Sequence, residues 1–373
     1  MLVIRIEGAE SNAFHEAVAV VRGLEALGSL RLVVAVTAGP LRITVTAGPT
    51  TQRCTTVEDL LACLRQQIHW TPPPAVGGDA IRIFVAGDKS QVGKSTTCLA
   101  LLGALLLLGY QPHELAYIKP ATQCEAPQMI SAFCAHHGIT AVPIGPVVFY
   151  TGFTRAFLDQ PDQAAASAAL LAQIAAAVRD VAAGKRVVLV DGVGYPAVGS
   201  ICGVSNADVA AALRPISVLL VGKPGVGDAV DSFNLNASYF ASAGVRVLGA
   251  VFNKLPAEGY YCLANCERSV RQYFRHHASR RHKAYGFVPE FVVPTGADAV
   301  ATYDAIVANF AAAVNVQEIV DDALRAIGTI KRGLEPLPVA EPAAKKARPL
   351  TIAFAPREAV QAQAAQDGAV RSS

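Results

Sequence analysis

A phosphate-binding loop is the clearest chemical feature of the sequence. It follows an apolar run, residues 81–86, and precedes a long apolar stretch. Glycines at both ends let backbone N–H groups face a triphosphate, Lys94 supplies a positive charge for the β and γ phosphates, and Ser95 offers Mg²⁺ a hydroxyl. The sequence therefore predicts a nucleotide site. The predicted nucleotide-binding residues of the loop are Gly87, Asp88, Lys89, Ser90, Gln91, Val92, Gly93, Lys94, Ser95 and Thr96.

Polar residues follow two further apolar runs. Lys119 comes after residues 115–118, and a lysine at a strand end can reach phosphates held by the loop on the neighbouring strand. Asp191 comes after four apolar residues, the Walker-B pattern that delivers a carboxylate to Mg²⁺ or its water shell. Gly192 and Gly194 are expected to leave backbone N–H groups free to face a phosphoryl group.

Three later segments complete the set of candidate residues. A glycine-rich turn occupies residues 221–228, where another apolar run meets a helical stretch. Asn253 lies at a predicted strand end, where its amide can pair with adenine. Pro289 ends a short extended segment whose backbone is expected to line the base pocket.

The order of these segments resembles dethiobiotin synthetase and its wider P-loop group, which includes cobyrinic acid amidases and deviant-Walker ATPases. The resemblance implies that Lys94 and Lys119 handle the γ-phosphate and a carbamate. It further implies that Ser95 and Asp191 bind Mg²⁺ and that Asn253 contacts adenine. It covers roughly residues 81–300 and rests on Val92–Ser95, Lys119-Pro120, Asp191–Gly194, Val221–Lys223, Asn253 and Gly286–Pro289.

The sequence departs from that family at the substrate side. Glu125 is the only acid on the segment after Lys119, so we predict that it replaces a missing family aspartate as a metal ligand. Gln123 stands where the family has a small hydroxyl residue that helps to hold a diamine, so a diamine substrate is not implied. Lys89 lies where deviant-Walker ATPases carry a lysine that crosses a dimer interface to the partner's phosphates.

Two functions are compatible with these residues. The first is an ATP- and Mg²⁺-dependent ligase or cyclo-ligase that phosphorylates a carboxylate or carbamate of a small molecule, so that an amine can attack it. The alternative is a dimerising ATP-dependent switch that acts through protein partners. Both functions are compatible with a homodimer, and neither needs a nucleic acid. The residues assigned to catalysis are Lys94, Lys119, Lys89 and Asp191, and those assigned to the metal are Ser95, Asp191 and Glu125.

The elements that must position these residues alternate between strands and helices. This alternation predicts an α/β fold with a doubly wound, mostly parallel sheet of P-loop NTPase type, with ligands at the carboxyl ends of its strands. The predicted strands are residues 81–86, 115–118, 187–190, 217–221 and 245–252, and the predicted helices are residues 94–108, 127–137, 163–183, 227–243 and 260–276.

Four regions are expected along the chain. The first is a small α/β unit, residues 1–70, with strands at 2–7, 31–36 and 41–45 and helices at about 11–27 and 57–67. A Pro/Gly-rich linker, residues 71–80, joins it to the ATP-binding domain, residues 81–330. Residues 331–373 lack apolar periodicity and are expected to form a disordered tail.

Composition bounds the location and the partners. The net charge of +3 is too small to argue for nucleic acid, and eight cysteines without C-x2-C pairs indicate reduced thiols in the cytoplasm. The strongest apolar run, residues 98–109, is shorter than the ~20 residues of a spanning helix. Two minor readings stay open: a zinc site at Cys262 and Cys266, and a polyanion site on the basic stretch 271–283.

Overall fold

A computed structural model gives the architecture of the chain. It describes residues 2–9, 11, 17–18, 30–37, 39–47, 50–56, 60, 80–123, 128–277, 281–291 and 298–331. Glu125, most of the predicted linker, the predicted tail beyond Lys331 and most of the two predicted N-terminal helices lie outside these ranges.

The N-terminal residues form a four-stranded sheet. Its strands are β1 (Leu2–Gly8), β2 (Leu30–Val36), β3 (Arg42–Ala47) and β4 (Thr50–Cys54), in the order β2-β1-β3-β4. β2 runs parallel to β1, and the other neighbours are antiparallel. Alternating apolar residues on β1 and β3 are buried, which explains why the sequence predicted these strands. The polar sequence of β4 gave no such signal.

A seven-stranded parallel sheet forms the larger part of the fold. Its order is β13-β12-β11-β5-β10-β6-β8, and β7 and β9 form a separate two-stranded pair. The strands are β5 (Ile81–Gly87), β6 (Leu115–Ile118), β7 (Ala121–Thr122), β8 (Thr140–Val142), β9 (Val147–Val148), β10 (Val187–Asp191), β11 (Ser217–Gly222), β12 (Arg246–Leu255) and β13 (Lys283–Pro289).

Helices cover both faces of this sheet, as the sequence predicted. Along β5, Ile83 and Val85 face one apolar core, while Phe84 and Ala86 face the other. The helices are α1 (Lys94–Leu107), α2 (Met129–His137), α3 (Phe153–Leu158), α4 (Gln163–Ala182), α5 (Asn206–Ala212), α6 (Gly227–Ser242), α7 (Leu263–His276), α8 (Ala299–Ala313) and α9 (Val316–Lys331).

The strand order differs from the sequence expectation in one respect that matters for the site. We expected Lys119 to leave a strand adjacent to the phosphate-binding loop, but β10 lies between β5 and β6. Asp191 pairs with Val85 in this register, so the carboxylate lies between the loop and Lys119. Strand order depends on long-range pairing, which the local sequence pattern does not contain.

One helix in the described part of the chain, α4, is long and apolar enough to cross a membrane by length and composition. The sequence analysis considered the shorter apolar run 98–109 and did not single out this helix. Alanine makes up half of the 20 residues of α4, and leucine, isoleucine and valine supply the rest of its apolar character. Ile174 and Val178 of α4 are fully buried in one core of the sheet. Only 11% of the apolar window of α4 is buried, and a single helix of this kind is weak evidence for a membrane.

Candidate functional site

The predicted phosphate-binding loop connects the central strand β5 to helix α1. Its last glycine, Gly93, has a φ of 97°, and the Gly93 carbonyl accepts the first helical hydrogen bond, from the Thr97 N–H at 2.8 Å. A Cβ on Gly87 would lie 2.7 Å from Val92 Cγ1. Glycine is therefore needed at both ends of the loop, as the sequence predicted, once for backbone conformation and once for close contact.

The end of β12 fastens the loop from the side. Asn253 Nδ2 donates to the Val92 carbonyl oxygen at 3.0 Å, and Lys254 Nζ donates to the Gln91 carbonyl oxygen at 3.0 Å. A Cβ on Gly93 would lie 2.4 Å from Asn253 Nδ2, so this contact leaves no room for a side chain. Asn253 thus holds the loop backbone, a role that the sequence did not suggest beside the predicted adenine contact.

Asp88 joins the loop to the glycine-rich turn after β11. Its N–H donates to the Val221 carbonyl oxygen at 3.0 Å, and its Oδ2 accepts from the Lys223 N–H at 3.0 Å. Burial raises the pKa of the Asp88 carboxyl, although hydrogen bonding and the nearby ammonium groups of Lys223 and Lys89 oppose the shift. Asp88 therefore fixes the first limb of the loop at an electrostatic cost.

Five polar residues, three of them predicted from the sequence, meet where the loop enters α1. Asp191 Oδ2 accepts from Ser95 Oγ at 2.6 Å and from the Tyr117 hydroxyl at 2.8 Å. Lys119 Nζ lies 3.4 Å from the same oxygen and 3.4 Å from Ser95 Oγ. It also donates to Gln128 Oε1 at 3.1 Å. The strand order thus brings the predicted Ser95, Lys119 and Asp191 together.

The charges in this cluster are buried. Asp191 is fully buried, and Lys94 and Lys119 are 8% and 7% exposed. Burial lowers the pKa of the Lys94 ammonium, and the nearby Lys119 adds to this, while Asp191 opposes it. Two ammonium groups and one carboxylate leave a net positive charge, which suits a triphosphate.

The cluster fits a magnesium ion. Asp191 Oδ1 is buried without a hydrogen-bond partner among the described residues, next to the hydroxyl of Ser95. A buried carboxylate oxygen that lacks a donor is costly unless a ligand satisfies it. Carboxylate and hydroxyl oxygens are the hard donors that Mg²⁺ takes alongside phosphates and water. Ser95 and Asp191 are therefore the residues that would hold it.

The loop after β10 is shaped by Asn206, a residue the sequence analysis missed. Asn206 Oδ1 accepts from the Val193 N–H at 3.0 Å, and its Nδ2 donates to the carbonyls of Val193 and Tyr195 at 2.7 and 2.9 Å. The Gly192 N–H donates to the Val85 carbonyl oxygen at 2.9 Å. It is therefore not free to face a phosphoryl group, contrary to the sequence expectation. A Cβ on Gly192 would lie 2.9 Å from Asn206 Oδ1, so glycine permits this contact.

The other predicted residues occupy varied positions. Lys89, Ser90 and Gln91 are exposed on the loop, and Thr96 is exposed in the first turn of α1. Gly194 has a φ of 56°, and a Cβ there would lie 3.7 Å from Ser90 Oγ, so this glycine lies beside the loop. Pro289 ends β13, next to the end of β12 that carries Asn253. Glu125 lies outside the described residues, and its metal role stays a prediction.

The residues of the possible zinc site and of the possible polyanion site have ordinary structural roles. Cys266 is buried and its thiol contacts the Tyr261 carbonyl at 3.2 Å, and the described residues contain no cluster of three metal-binding His, Cys, Asp or Glu side chains. In the basic stretch, Arg271 pairs with Glu267 at 2.8 Å and Lys283 pairs with Glu318 at 2.7 Å. These partners favour a charged helix end over a polyanion site.

Two further site residues, Tyr117 and Gln128, were missed for a common reason. Tyr117 is one of four apolar-looking residues of β6, and Gln128 precedes α2. Neither has a motif, and only the folded chain brings them to Asp191 and Lys119. The one available signal was the position of Tyr117 two residues before Lys119, which puts both side chains on the same face of the strand.

Comparison with known proteins identifies the region that carries the site. The sequence profile of the AAA_26 family, described as an AAA domain, matches residues 81–290, more than half of the chain. No functionally curated protein matches the sequence.

Two solved structures show weaker similarity. The signal recognition particle receptor FtsY from Elizabethkingia anophelis, in complex with GDP, is 15% identical with a TM-score of 0.35, covering 67% of this chain and 70% of that one. The MinC:MinD cell division protein complex of Aquifex aeolicus is 14% identical with a TM-score of 0.35, covering 69% and 98%. Similarity at this level carries no information about activity.

Proposed function

This chain belongs to the AAA_26 family, and we propose that its P-loop nucleotide site serves an ATP- and Mg²⁺-dependent ligase or cyclo-ligase. The family includes dethiobiotin synthetase-like P-loop proteins, which is the group that the sequence motifs resemble. The proposed substrate is a small molecule with a carboxylate or carbamate and an amine. The proposed assembly is a homodimer, and the proposed location is the cytoplasm.

One observation carries the proposal: the Lys119 ammonium lies 3.4 Å from Ser95 Oγ and 3.4 Å from Asp191 Oδ2. A lysine whose only task was to keep the sheet edge soluble would extend into solvent, whereas Lys119 is 7% exposed. Its position beside the proposed metal ligands lets the same side chain contact the transferred phosphoryl group and an anionic acceptor. Before substrates bind, the neutral side-chain oxygen of Gln128 accepts a hydrogen bond from the Lys119 ammonium and orients it.

The proposed reaction has two steps. An oxygen of the acceptor carboxylate attacks the γ-phosphorus, the bond from γ-phosphorus to the bridging oxygen breaks, and ADP leaves. The amine then attacks the resulting acyl phosphate, phosphate leaves, and the amine gives up a proton. Such transfers depend mainly on position and charge neutralisation, and Lys94, Lys119 and the loop N–H groups supply both. Bound Mg²⁺ would add neutralisation of phosphate charge near Ser95 and Asp191.

The alternative is a dimerising ATP-dependent switch of the deviant-Walker type. The position of Lys89 favours this alternative. Its side chain is exposed on the loop, where it is available to a second subunit. The two functions assign opposite importance to Lys89 and Lys119, and this difference separates them.

The test uses Lys119→Ala and Lys89→Ala, with Lys94→Ala as the variant that should lose ATP binding. An enzyme predicts that Lys119→Ala binds ATP but loses substrate-stimulated ADP release by about 10²–10³-fold, while Lys89→Ala is mild. Candidate substrates are amine-bearing carboxylates, and diamines supplied with bicarbonate as the source of a carbamate. Sedimentation with and without ATP reports assembly. ATP-driven dimerisation that Lys89→Ala abolishes, without substrate stimulation, would reject the enzyme in favour of the switch.

A further inference from the structure

A buried tyrosine that belongs to none of the sequence motifs contacts Asp191, a proposed metal ligand. Tyr117 lies on β6, is fully buried, and donates its hydroxyl to Asp191 Oδ2 at 2.8 Å. The same oxygen accepts from Ser95 at 2.6 Å and faces Lys119 at 3.4 Å. Three donors therefore converge on Oδ2, while Oδ1 has no partner among the described residues.

We propose that Tyr117 is a positioning residue that holds Asp191 by Oδ2, so that Oδ1 remains directed at the metal site when Lys119 moves to the reacting groups. This inference rests on the proposed Mg²⁺- and ATP-dependent function. Tyr117 contacts neither the nucleotide nor the substrate in this assignment; it acts through the carboxylate.

The three donors differ in whether they can keep their contact with Asp191 Oδ2 when the metal and the substrates bind. Ser95 is itself a proposed metal ligand, so its hydroxyl oxygen has a second task. Lys119 ends a long flexible side chain whose ammonium already divides its contacts between Asp191, Ser95 and Gln128. The Tyr117 ring is fixed in the core of a strand that pairs on both sides, so its hydroxyl cannot follow either group.

The chemistry of the phenol suits this role. At neutral pH a tyrosine hydroxyl is an uncharged donor, and it stabilises a carboxylate without repelling a metal cation. An ammonium in the same place would compete with Mg²⁺ for the negative charge of Asp191. When Lys119 moves away from Asp191, Tyr117 still donates a hydrogen bond to the buried Oδ2. Loss of all donors would be costly for a charged group.

The experiment measures how much Mg²⁺ contributes to nucleotide affinity. The Kd of a nonhydrolysable ATP analogue is determined with Mg²⁺ and with EDTA, in the wild type and in Tyr117→Phe. We expect the ratio of the two Kd values to fall by about tenfold in Tyr117→Phe, the scale of one hydrogen bond to a charged group, with the EDTA value nearly unchanged. Phenylalanine retains the ring that packs in the core.

The chain offers a matched control at the opposite edge of the sheet. Tyr285 is also buried, and its hydroxyl donates to Asp322 at the same distance, 2.8 Å. Tyr285→Phe should lower the melting temperature as much as Tyr117→Phe while leaving the Mg²⁺ ratio at the wild-type value. A Tyr117→Phe protein whose ratio stays within twofold of wild type, or a control that shifts equally, would overturn the inference.

A second background tests whether Lys119 and Tyr117 divide the tasks as proposed. Lys119→Met removes the movable donor, so Tyr117→Phe in that background should reduce the Mg²⁺ ratio more than it does in the wild type. Equal effects in both backgrounds would contradict the proposed division of tasks. The proposed function fails separately: in that case Lys94→Ala would still bind the ATP analogue, whatever Tyr117→Phe does.

Discussion

Asn253 Nδ2 donates a hydrogen bond of 3.0 Å to the carbonyl oxygen of Val92, and so ties the end of β12 to the phosphate-binding loop. The adjacent Lys254 makes a second link, to the Gln91 carbonyl. A residue predicted to recognise adenine therefore also sets the backbone that faces the phosphates. The predicted adenine contact would therefore link base binding to the loop backbone.

Asn253→Ala should weaken binding of both ATP and inorganic tripolyphosphate. Loss of one hydrogen bond predicts roughly a 2–10-fold increase in each Kd. Tripolyphosphate has no base, so its affinity isolates the effect on the loop. Asn234→Ala, which removes a hydrogen bond to Tyr273 elsewhere in the fold, serves as the control. If Asn253→Ala weakens ATP alone, the residue acts only on the base.

Gly93→Ala should abolish nucleotide binding. A φ of 97° strains any L-residue, by roughly 1–2 kcal/mol for left-handed backbone, and the new Cβ would lie 2.4 Å from Asn253 Nδ2. Adding Asn253→Gly removes the collision but not the strain, so the double variant should recover only part of the affinity. Gly109→Ala is the control, because Gly109 has a similar φ of 91° and a Cβ there meets nothing within 4 Å. Wild-type affinity in Gly93→Ala would contradict this geometry.

ATP affinity should fall at alkaline pH sooner than an ordinary lysine would predict. Burial lowers the Lys94 pKa below the ordinary lysine value of 10.5, and phosphate binding needs the charged form. Affinity is thus constant while Lys94 is protonated and decreases as the pH rises through the lowered pKa. Titration of the ATP analogue from about pH 7.5 to about pH 10 measures this. Lys94→Arg keeps its charge throughout, so a decrease of equal size in that variant would refute the assignment.

Glu125→Gln should raise the Mg²⁺ concentration needed for half-maximal ATP turnover, because the sequence offers no other acid on that segment. Removal of the carboxylate eliminates one proposed metal or metal-water ligand. Glu114→Gln is a suitable control, since Glu114 pairs with Arg186 at 2.9 Å, away from the site. An unchanged Mg²⁺ titration would leave Ser95 and Asp191 as the proposed protein ligands.

The sequence determined the fold class and most of the site through local rules. Glycine spacing and the Lys94-Ser95 pair identified the loop, and four apolar residues before Asp191 identified a buried strand that delivers an acid. The predicted strand 115–118 agrees with β6 at both ends. These features follow from hydrophobic periodicity and backbone conformation, which a short segment carries within itself.

Tertiary structure alone decided which side chains meet. The position of β10 between β5 and β6 placed Asp191 between the loop and Lys119, and it brought the Tyr117 hydroxyl to the Asp191 carboxylate. It also gave Asn253 and Asn206 their roles as braces of two loops. Such contacts join residues that are 11 to 161 positions apart. They depend on strand order and register, which arise from packing of the whole sheet and leave no local pattern in the sequence.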